Sequence, residues 1–281
     1  MDEPRMRYRE MTAADVAAGH ALSRASGWNQ RPDDWELLLS RNPGRFVAAV
    51  SSDGRVVGTA GAACYGTALA WVCMVLVDAG ARGRGIGTRL MEAVLERLGD
   101  MALVGLDATP QGRPVYARLG FTEDRTFLRL GAEGVSAAGD GSVIPLGKGD
   151  LEAVLALDRD VFGADRSEVL RWAFERAPAW CVREGGRVAA YCFGRPGEHS
   201  RHVGPVVAPG TGAARSLLAA AASGVPGRLI VDVAADREDW VAAAAGLGFR
   251  EQRPLIRMYR GGGGPPGRPD LQLAIFGPEF G

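Results

Sequence analysis

The sequence lacks an excess of charge of either sign. Its 281 residues hold 33 lysines and arginines against 33 aspartates and glutamates, a formal net charge of +0. Because proteins that bind nucleic acid or anionic membrane surfaces usually carry a basic excess, we expect neither partner. No apolar run reaches the roughly 20 residues that a membrane-spanning helix needs, and the opening stretch MDEPRMRYRE is charged, unlike a signal peptide. We therefore expect a cytoplasmic protein with no membrane partner.

Cysteine and histidine are too few and too scattered to predict a metal centre. The four cysteines form no CxxC pair and lie in or near apolar segments, which favours reduced, packed thiols. His199 and His202 stand in the loop GEHSRH without neighbours that complete a plausible ligand set. We predict no metal, and since no Ser/His/Asp or Cys/His set stands out, covalent catalysis is not favoured.

Glycine, by contrast, is abundant, and one cluster of it follows an apolar strand pattern. In MVLVDAGARGRGIGTRLMEAVLERL, this cluster separates a run ending at Val77 from an amphipathic helix pattern. Bare glycines, helix N–H groups without partners and two arginines are the parts of a phosphate cradle. The cradle consists of Arg82, Gly83, Arg84, Gly85, Ile86, Gly87 and Thr88.

Two common phosphate motifs fail on this cluster. A P-loop counted from Gly80 requires a lysine where Ile86 stands. A dinucleotide fingerprint counted from Gly83 requires a glycine where Thr88 stands, and it usually opens a βαβ unit, whereas several strand-like segments come first here.

A third pattern, [Q/R]-x-x-G-x-[G/A], is met by Arg82, Gly85 and Gly87. It resembles the acyl-CoA loop of the GNAT superfamily of N-acyltransferases. The resemblance implies that backbone amides of residues 82–88 hold the CoA pyrophosphate. It also implies that the end of the preceding strand pairs with pantetheine and polarises the thioester carbonyl through a backbone N–H. That strand end consists of Val75, Leu76 and Val77.

A second signature follows in PVYARLGF, which resembles the family's tyrosine four residues before the glycine of GF. Tyr116 takes that position. The resemblance implies that Tyr116 lies near the CoA sulfur and protonates the departing thiolate. Family members often carry an asparagine seven residues earlier; this chain has Thr109 there, so that contact to CoA is not implied.

The pattern of elements predicts an α+β, or mixed α/β, fold that occurs twice. EGGRVAAYC echoes SDGRVVGTA, and GLGFREQRPLIRM echoes RLGFTEDRTFLRL. The second echo keeps charged positions at one offset: Glu251, Arg253 and Arg257 repeat Glu123, Arg125 and Arg129. We infer two tandem GNAT-like domains, each a twisted, mostly antiparallel sheet flanked by helices, similar to a bacterial tandem GNAT group with a C-terminal acetyltransferase-like domain.

Four segments follow from this duplication. They are a catalytic domain binding acyl-CoA at 1–131, a small-residue linker at 132–142, a degenerate GNAT-like domain at 143–260, and a Gly/Pro linker with a docked C-terminal tail at 261–281. The second domain is expected to have lost the chemistry, because Pro209 stands in its counterpart of the glycine loop and Ala244 matches Tyr116.

Together these features predict an acetyl-CoA-dependent N-acetyltransferase, in which a primary amine of a small molecule attacks the thioester directly in a ternary complex. In GWNQRPDDW, Trp28 and Trp35 offer apolar surface and Asp34 a carboxylate for a cationic amine, although both tryptophans could instead pack the helices. The general base stays open between a water chain, Asp34 and Asp165; capping of a helix is the plainer interpretation of Asp165.

Two alternatives remain open for the function. The acceptor could be a protein or peptide amine, or the chain could be a non-catalytic acyl-CoA-binding module, although Tyr116 argues against the latter. The sequence does not distinguish a monomer from a homodimer.

Overall fold

The structure is a computed structural model that describes residues 6–135, 141–223, 227–263 and 266–281. These residues form thirteen strands: β1 Arg7–Glu10, β2 Val47–Val50, β3 Val56–Tyr65, β4 Leu69–Val77, β5 Leu103–Ala108, β6 Thr122–Glu133, β7 Val143–Pro145, β8 Ala179–Glu184, β9 Arg187–Arg195, β10 Arg201–Val207, β11 Arg228–Ala234, β12 Arg250–Gly261 and β13 Gln272–Ala274. They also form eight α-helices: α1 Val16–Ala25, α2 Pro32–Arg41, α3 Ile86–Leu98, α4 Arg113–Arg118, α5 Leu151–Phe162, α6 Ser167–Arg176, α7 Thr211–Ala222 and α8 Glu238–Gly246. Within the described ranges, no helix combines the length and apolar character that crossing a membrane requires.

All the strands join one mixed sheet in the order β1-β2-β3-β4-β5-β12-β6-β11-β13-β10-β9-β8-β7. The pairs β4–β5 and β10–β11 are parallel, and the other described pairings are antiparallel. Each parallel pair is followed by a helix–strand arrangement of the same kind, so the predicted duplication and mixed fold are confirmed.

Helices cover both faces of this sheet. The buried residues of α3 recur at helical spacing (Leu90, Met91, Val94 and Leu98) and pack onto the strands of the first half. Gly99, with φ +58°, ends that helix. On the other face, α1 and α2 of the first half share one core with α5 and α6 of the second. The two halves therefore do not have separate cores on that side.

The halves also exchange their last strands. β12, from the end of the second half, pairs with β5 of the first. β6, from the end of the first half, pairs with β11 of the second along the whole length of β11, from Phe127 opposite Ala234 to Glu133 opposite Arg228. The two exchanged strands lie side by side in the centre of the sheet, with Phe127 opposite Leu255. Each half thus completes the sheet of the other.

Two buried ion pairs cross this exchange at equivalent places. Arg257 of β12 donates two hydrogen bonds of 2.9 Å to Asp107 of β5. Arg129 of β6 donates two of 2.7 Å to Asp232 of β11. A fork-shaped guanidinium on a carboxylate is directional as well as strong, so each pair holds an exchanged strand in register.

The segment 266–281, called the tail from here on, is packed into the molecule. Tyr65 Oη donates to the carbonyl of Phe280 at 2.7 Å, and Trp71 Nε1 to the carbonyl of Pro278 at 3.0 Å. Arg166, which is 2% exposed, donates to the Gly281 oxygen at 2.6 Å and is itself held by Asp158. Of the two predicted linkers, residues 136–140 and 264–265 lie outside the described residues.

Candidate active site

A β-bulge interrupts β4 where the sheet opens. Thr59 of β3 pairs with Leu76, but Gly61 pairs with Cys73, so β4 holds one more residue than β3 over this interval. The bulged Met74 has φ +53°, the one positive φ at a non-glycine position in the described chain. Its carbonyl accepts a hydrogen bond from Thr59 Oγ1 at 2.8 Å, which fixes the unusual conformation. A bulge re-aims the backbone groups of its strand, and this one precedes Val75–Val77, the strand end at which the resemblance implies that a backbone N–H polarises the thioester carbonyl.

Beyond this point β4 and β5 part. Their parallel pairing ends at Trp71 and Gly105, and the residues that follow on each strand face a cavity that is partly open to solvent. Val75, predicted to contact pantetheine, lines it, and Leu76 and Val77 continue the strand towards the glycine turn. Two parted strands with free edges offer a slot for an extended ligand.

The glycine turn has the backbone geometry of an anion cradle. Gly83 and Gly85 have φ +76° and +72°, a conformation that side chains oppose, and α3 begins directly after Gly85. A Cβ on Gly87 would lie 3.7 Å from Val77, so the first helical turn approaches the strand closely. The N–H groups of that turn have no carbonyl partner within the helix and would meet an anion.

The two arginines of this turn are used differently. Arg82 Nε donates to the carbonyl of Val77 at 3.1 Å, so this side chain braces the turn as well as bringing charge to it. Arg84 is exposed at the open side. The buried member of the turn is Ile86, which is 3% exposed and anchors α3 in the core.

Tyr116 lines the same cavity from α4. Its ring stacks edge-on against Phe121 with centroids 6.2 Å apart, and Gly112 leaves the space that the ring occupies, since a Cβ there would come within 2.9 Å of it. Burial raises the pKa of Tyr116 to about 12. The phenol therefore keeps its proton at neutral pH, as a proton donor must.

Of the residues predicted to meet the acceptor, one lines the cavity. Trp28 is part of its wall. Trp35 is 0% exposed and packs in the core, where its Nε1 donates to Ser23 Oγ at 3.2 Å. Asp34, 1% exposed, binds Arg195 at 2.6 Å and receives the backbone N–H of Arg31 at 2.7 Å. The structure thus brings neither Asp34 nor Trp35 to this cavity, because both serve the packing and capping of α2.

Two acids line the cavity: Asp107 of β5, which is paired with Arg257, and Glu279 of the tail. Glu279 is 2% exposed, forms a short ion pair with Arg195, and accepts a hydrogen bond from Gln30 Nε2 at 2.9 Å. Burial raises the pKa of this carboxyl, but the charge of Arg195 outweighs it, so the pKa lies below the usual value. Sequence reasoning missed Glu279, because nothing in FGPEFG shows which cavity the tail enters.

Asp165, the other acid considered as a base, lies away from this cavity. Its Oδ1 accepts the backbone N–H of Ser167 at 2.9 Å at the start of α6, and it pairs with Arg159 at 3.1 Å. This is the capping role. Other polar residues face the cavity instead: Asp107, Thr109, Arg129 and Arg253.

The corresponding place in the second half is filled. The parallel pairing of β10 with β11 ends at His202 and Ile230. Beyond it, β13 of the tail runs antiparallel to both strands, with Ala274 opposite Val206 and Val233. Ala244, at the position that matches Tyr116, is fully buried. The second half therefore has no open slot between its strands within the described residues.

Parted parallel strands, a bulge, a glycine turn and a cavity tyrosine thus occur together in the first half of the chain. Two family models match the chain: "Acetyltransferase (GNAT) family" over residues 14–121 and "Acetyltransferase (GNAT) domain" over residues 154–274. The chain belongs to the GNAT superfamily, with one such domain in each half.

The similarity to known proteins extends over most of the chain. The chain is 23% identical over 248 residues to the uncharacterized N-acetyltransferase YitH of Bacillus subtilis, covering 85% of this chain and 86% of that one. It is 25% identical over 242 residues to a holothin acyltransferase of a Pseudoalteromonas species, covering 84% and 82%. Its fold is similar to that of a putative acetyltransferase from Pyrococcus horikoshii, with a TM-score of 0.85, 20% identity, and coverage of 100% and 99%.

Proposed function

We propose that this GNAT protein transfers the acetyl group of acetyl-CoA to a primary amine of a small molecule by direct attack in a ternary complex. One observation carries the proposal: the bulge in β4 and the ring of Tyr116 face a single cavity, and β4 runs from that cavity towards the glycine turn. Donor binding, carbonyl polarisation and protonation of a leaving thiolate are the three tasks of such a transfer, and this arrangement supplies a candidate for each.

The donor would be held by backbone rather than by side chains. N–H groups of residues 83–88 receive the pyrophosphate, with Arg84 and Arg82 adding positive charge. The free edge of β4 at Val75–Val77 pairs with pantetheine. A backbone N–H at the bulge then polarises the thioester carbonyl, on whose oxygen negative charge develops as the amine attacks.

Two side chains would move the protons. Tyr116 gives its proton to the departing thiolate. Glu279, an ionised carboxylate in the cavity wall, binds the acceptor's ammonium group. The proton that the ammonium group loses then passes towards solvent. The low pKa of Glu279 suits binding of a cation better than it suits proton abstraction, so a water next to this residue is expected to take part.

A small acceptor is favoured by how the cavity is closed. Pro278 and Glu279 of the tail and Trp28 wall one side of it, and that part of the tail is fixed by hydrogen bonds from Tyr65 and Trp71. A folded protein surface could not enter without displacing these contacts. One relative is named holothin acyltransferase, after an acceptor that its name does not describe as a protein.

The test is an assay of CoA thiol release with acetyl-CoA and a panel of small amines, run beside peptides with free amino termini and lysines. We expect release with one class of small amine and none with the peptides. Release with peptides alone would assign a protein acceptor. Binding of acetyl-CoA without release for any amine would make the chain an acyl-CoA-binding module.

A further inference from the structure

Arg253 is a cation in the cavity wall that has no counter-ion within the described ranges. It comes from the exchanged strand β12, so it reaches the first half's cavity from the second half of the sequence. Its Nη1 is buried and has no hydrogen-bond partner among the described residues. Its neighbour across the strands is Arg129, whose own charge is neutralised by Asp232.

The equivalent arginine of the other copy has an acidic partner. Arg125, the counterpart of Arg253, binds Asp236 through two hydrogen bonds of 2.6 and 2.7 Å and donates to the carbonyl of Pro269 at 3.0 Å. Asp232 and Asp107 are equivalent, 125 residues apart, so Asp236 corresponds to Gln111. The cavity of the first half therefore receives the arginine from β12 but has Gln111 in place of its acid.

Burial and the charge of Arg129 lower the pKa of Arg253 to about 10, although the charge of Asp232 raises it in part, so the guanidinium stays protonated at neutral pH. A partly buried, charged guanidinium beside another arginine is destabilising unless an anion meets it. The charge of Asp232 acts on Arg253, but that carboxylate is paired with Arg129, and no described acid forms an ion pair with Arg253 itself. Its position in a ligand cavity leaves a direct counter-ion to the ligand.

The cavity also holds a hydrogen-bond acceptor without a donor, the side-chain oxygen of Gln30, which favours a cation rather than an anion. Gln30 is 4% exposed and lines the cavity, and its Oε1 accepts no hydrogen bond from the described residues. The orientation of the amide is fixed, because Nε2 donates to Glu279. An amide oxygen beside an ionised carboxylate is a receptor for N–H groups, and an ammonium group supplies them.

We propose that the acceptor is an amino carboxylate, a small molecule whose amine lies against Gln30 and Glu279 and whose carboxylate is bound by Arg253. This inference rests on the proposed function, and it narrows the primary amines to those that also carry an anion. A carboxylate matches the fork of the guanidinium, and it would neutralise the cavity arginine for which the described residues provide no acid.

The experiment compares amines that differ only in the carboxylate. The probes are glycine with methylamine, β-alanine with ethylamine, and γ-aminobutyrate with propylamine, together with phenylalanine and phenethylamine for a larger side chain. With acetyl-CoA saturating, we expect kcat/KM for the preferred amino carboxylate to exceed that of its partner amine by about 10- to 100-fold, the usual effect of a hydrogen bond to a charged group.

Variants assign the effect to Arg253. Arg253→Gln should remove the preference by raising KM for the amino carboxylate, while kcat/KM for the plain amine and KM for acetyl-CoA stay unchanged. Arg253→Glu should favour a diamine such as 1,3-diaminopropane. Arg260→Ala, an exposed arginine on the same strand, is the matched control and should change nothing.

The outcomes separate this inference from the proposed function. CoA release with equal kcat/KM for both members of every pair, or an equal loss for both in Arg253→Gln, would overturn the amino-carboxylate assignment and leave the acetyltransferase intact. If no amine causes release, calorimetric titration of the same probes into the CoA-saturated protein still tests whether an amino carboxylate binds at Arg253. Binding of an amino carboxylate that Arg253→Gln abolishes supports the site, and failure of every amino carboxylate to bind overturns it.

Discussion

The two halves of this protein begin from the same architecture and differ in what enters the gap between their parallel strands. In the first half, β4 and β5 part around an open cavity. In the second, β13 occupies the gap between β10 and β11, and Gly204 lies so close to Ile275 that a Cβ would meet its carbonyl oxygen at 2.0 Å. The same strand divergence can thus bind a ligand or bind the chain's own tail.

This difference gives the second half a structural part in the open cavity. The second half sends β12 into the sheet of the first and carries the tail, which brings Glu279 to the cavity. Leu273 of the filled gap is fully buried, and its carbonyl accepts a hydrogen bond from Trp240 at 2.9 Å. The filled gap therefore anchors the segment that closes the open one.

The largest expected effect comes from breaking the glycine turn of the open half. Gly85→Val places a β-branched side chain at φ +72°, so the turn should be reshaped and several amide contacts to the pyrophosphate lost. We expect the Kd for acetyl-CoA to rise by on the order of 100-fold or more, with calorimetry giving one site per chain in the wild type.

The matched control is Gly210→Val, before α7 in the filled half. Gly210 has φ −172°, an extended conformation open to any residue, and a Cβ at this position would have nothing within 4 Å of it. This variant should bind acetyl-CoA like the wild type. Two equivalent sites per chain, or equal losses in both variants, would end the distinction between the halves.

The exchange of strands can be tested by breaking one of its ion pairs. Asp232→Asn keeps the shape but leaves Arg129 buried without a charge partner, which typically costs about 3–5 kcal/mol. We expect that loss in the free energy of unfolding by urea at neutral pH. Glu133→Gln, which breaks the exposed pair of Glu133 with Arg228 on the same two strands, should leave it nearly unchanged.

The pH dependence of this effect has a defined sign. Burial raises the pKa of Asp232, but Arg129 and His202 lower it further, so the folded-state pKa lies well below the usual value. The stabilisation is therefore fully present above the unfolded-state pKa of about 4 and is lost as the pH falls below it. A stability difference between wild type and Asp232→Asn that grows in acid would contradict this assignment.

Sequence patterns predicted the elements well and their partners poorly. The strand, glycine turn and helix around Gly85 follow from local signals, and the duplication follows from one constant offset. The exchange does not, because FTEDRTFLRL and FREQRPLIRM have the same alternation of side chains and either strand fits either sheet. The positive φ of Met74 depends on the bulge opposite β3, and the role of Glu279 depends on where the tail lies; neither has a local signal.

The same reasoning explains the tryptophans of the first loop. Trp28 and Trp35 look alike in the sequence, yet one walls the cavity and the other fills the core beside Gly19, where a Cβ would come within 2.8 Å of its ring. The contacts of the cradle, of Tyr116 and of Trp28 with ligands stay predictions, which the experiments on the open half address.

A smaller effect is expected from replacing Tyr116, which Ala244 matches in the second half. Tyr116→Phe should lower kcat by about 100-fold if it is the sole proton donor to the thiolate, while KM for acetyl-CoA stays unchanged. Tyr8→Phe, in β1, is the control and should retain full turnover. Wild-type kcat in the Tyr116→Phe variant, with chemistry shown to limit the rate, would remove this residue from the mechanism.

The smallest effect concerns pH and distinguishes this tyrosine from an ordinary one. Burial raises the pKa of Tyr116 to about 12, and a proton donor is active in its protonated form. At pH 10.5, a tyrosine with the usual pKa of about 10 would keep only about a quarter of its protons, whereas Tyr116 should keep nearly all of them. The profile of kcat/KM should therefore rise as the acceptor amine loses its proton and then stay level up to about pH 10.5.

Assays at pH 7.5 after exposure to alkali control for unfolding. A fall in kcat/KM near pH 10 that Tyr116→Phe abolishes would show that Tyr116 has a normal pKa. Its phenol would then be as exposed to solvent as that of a surface tyrosine.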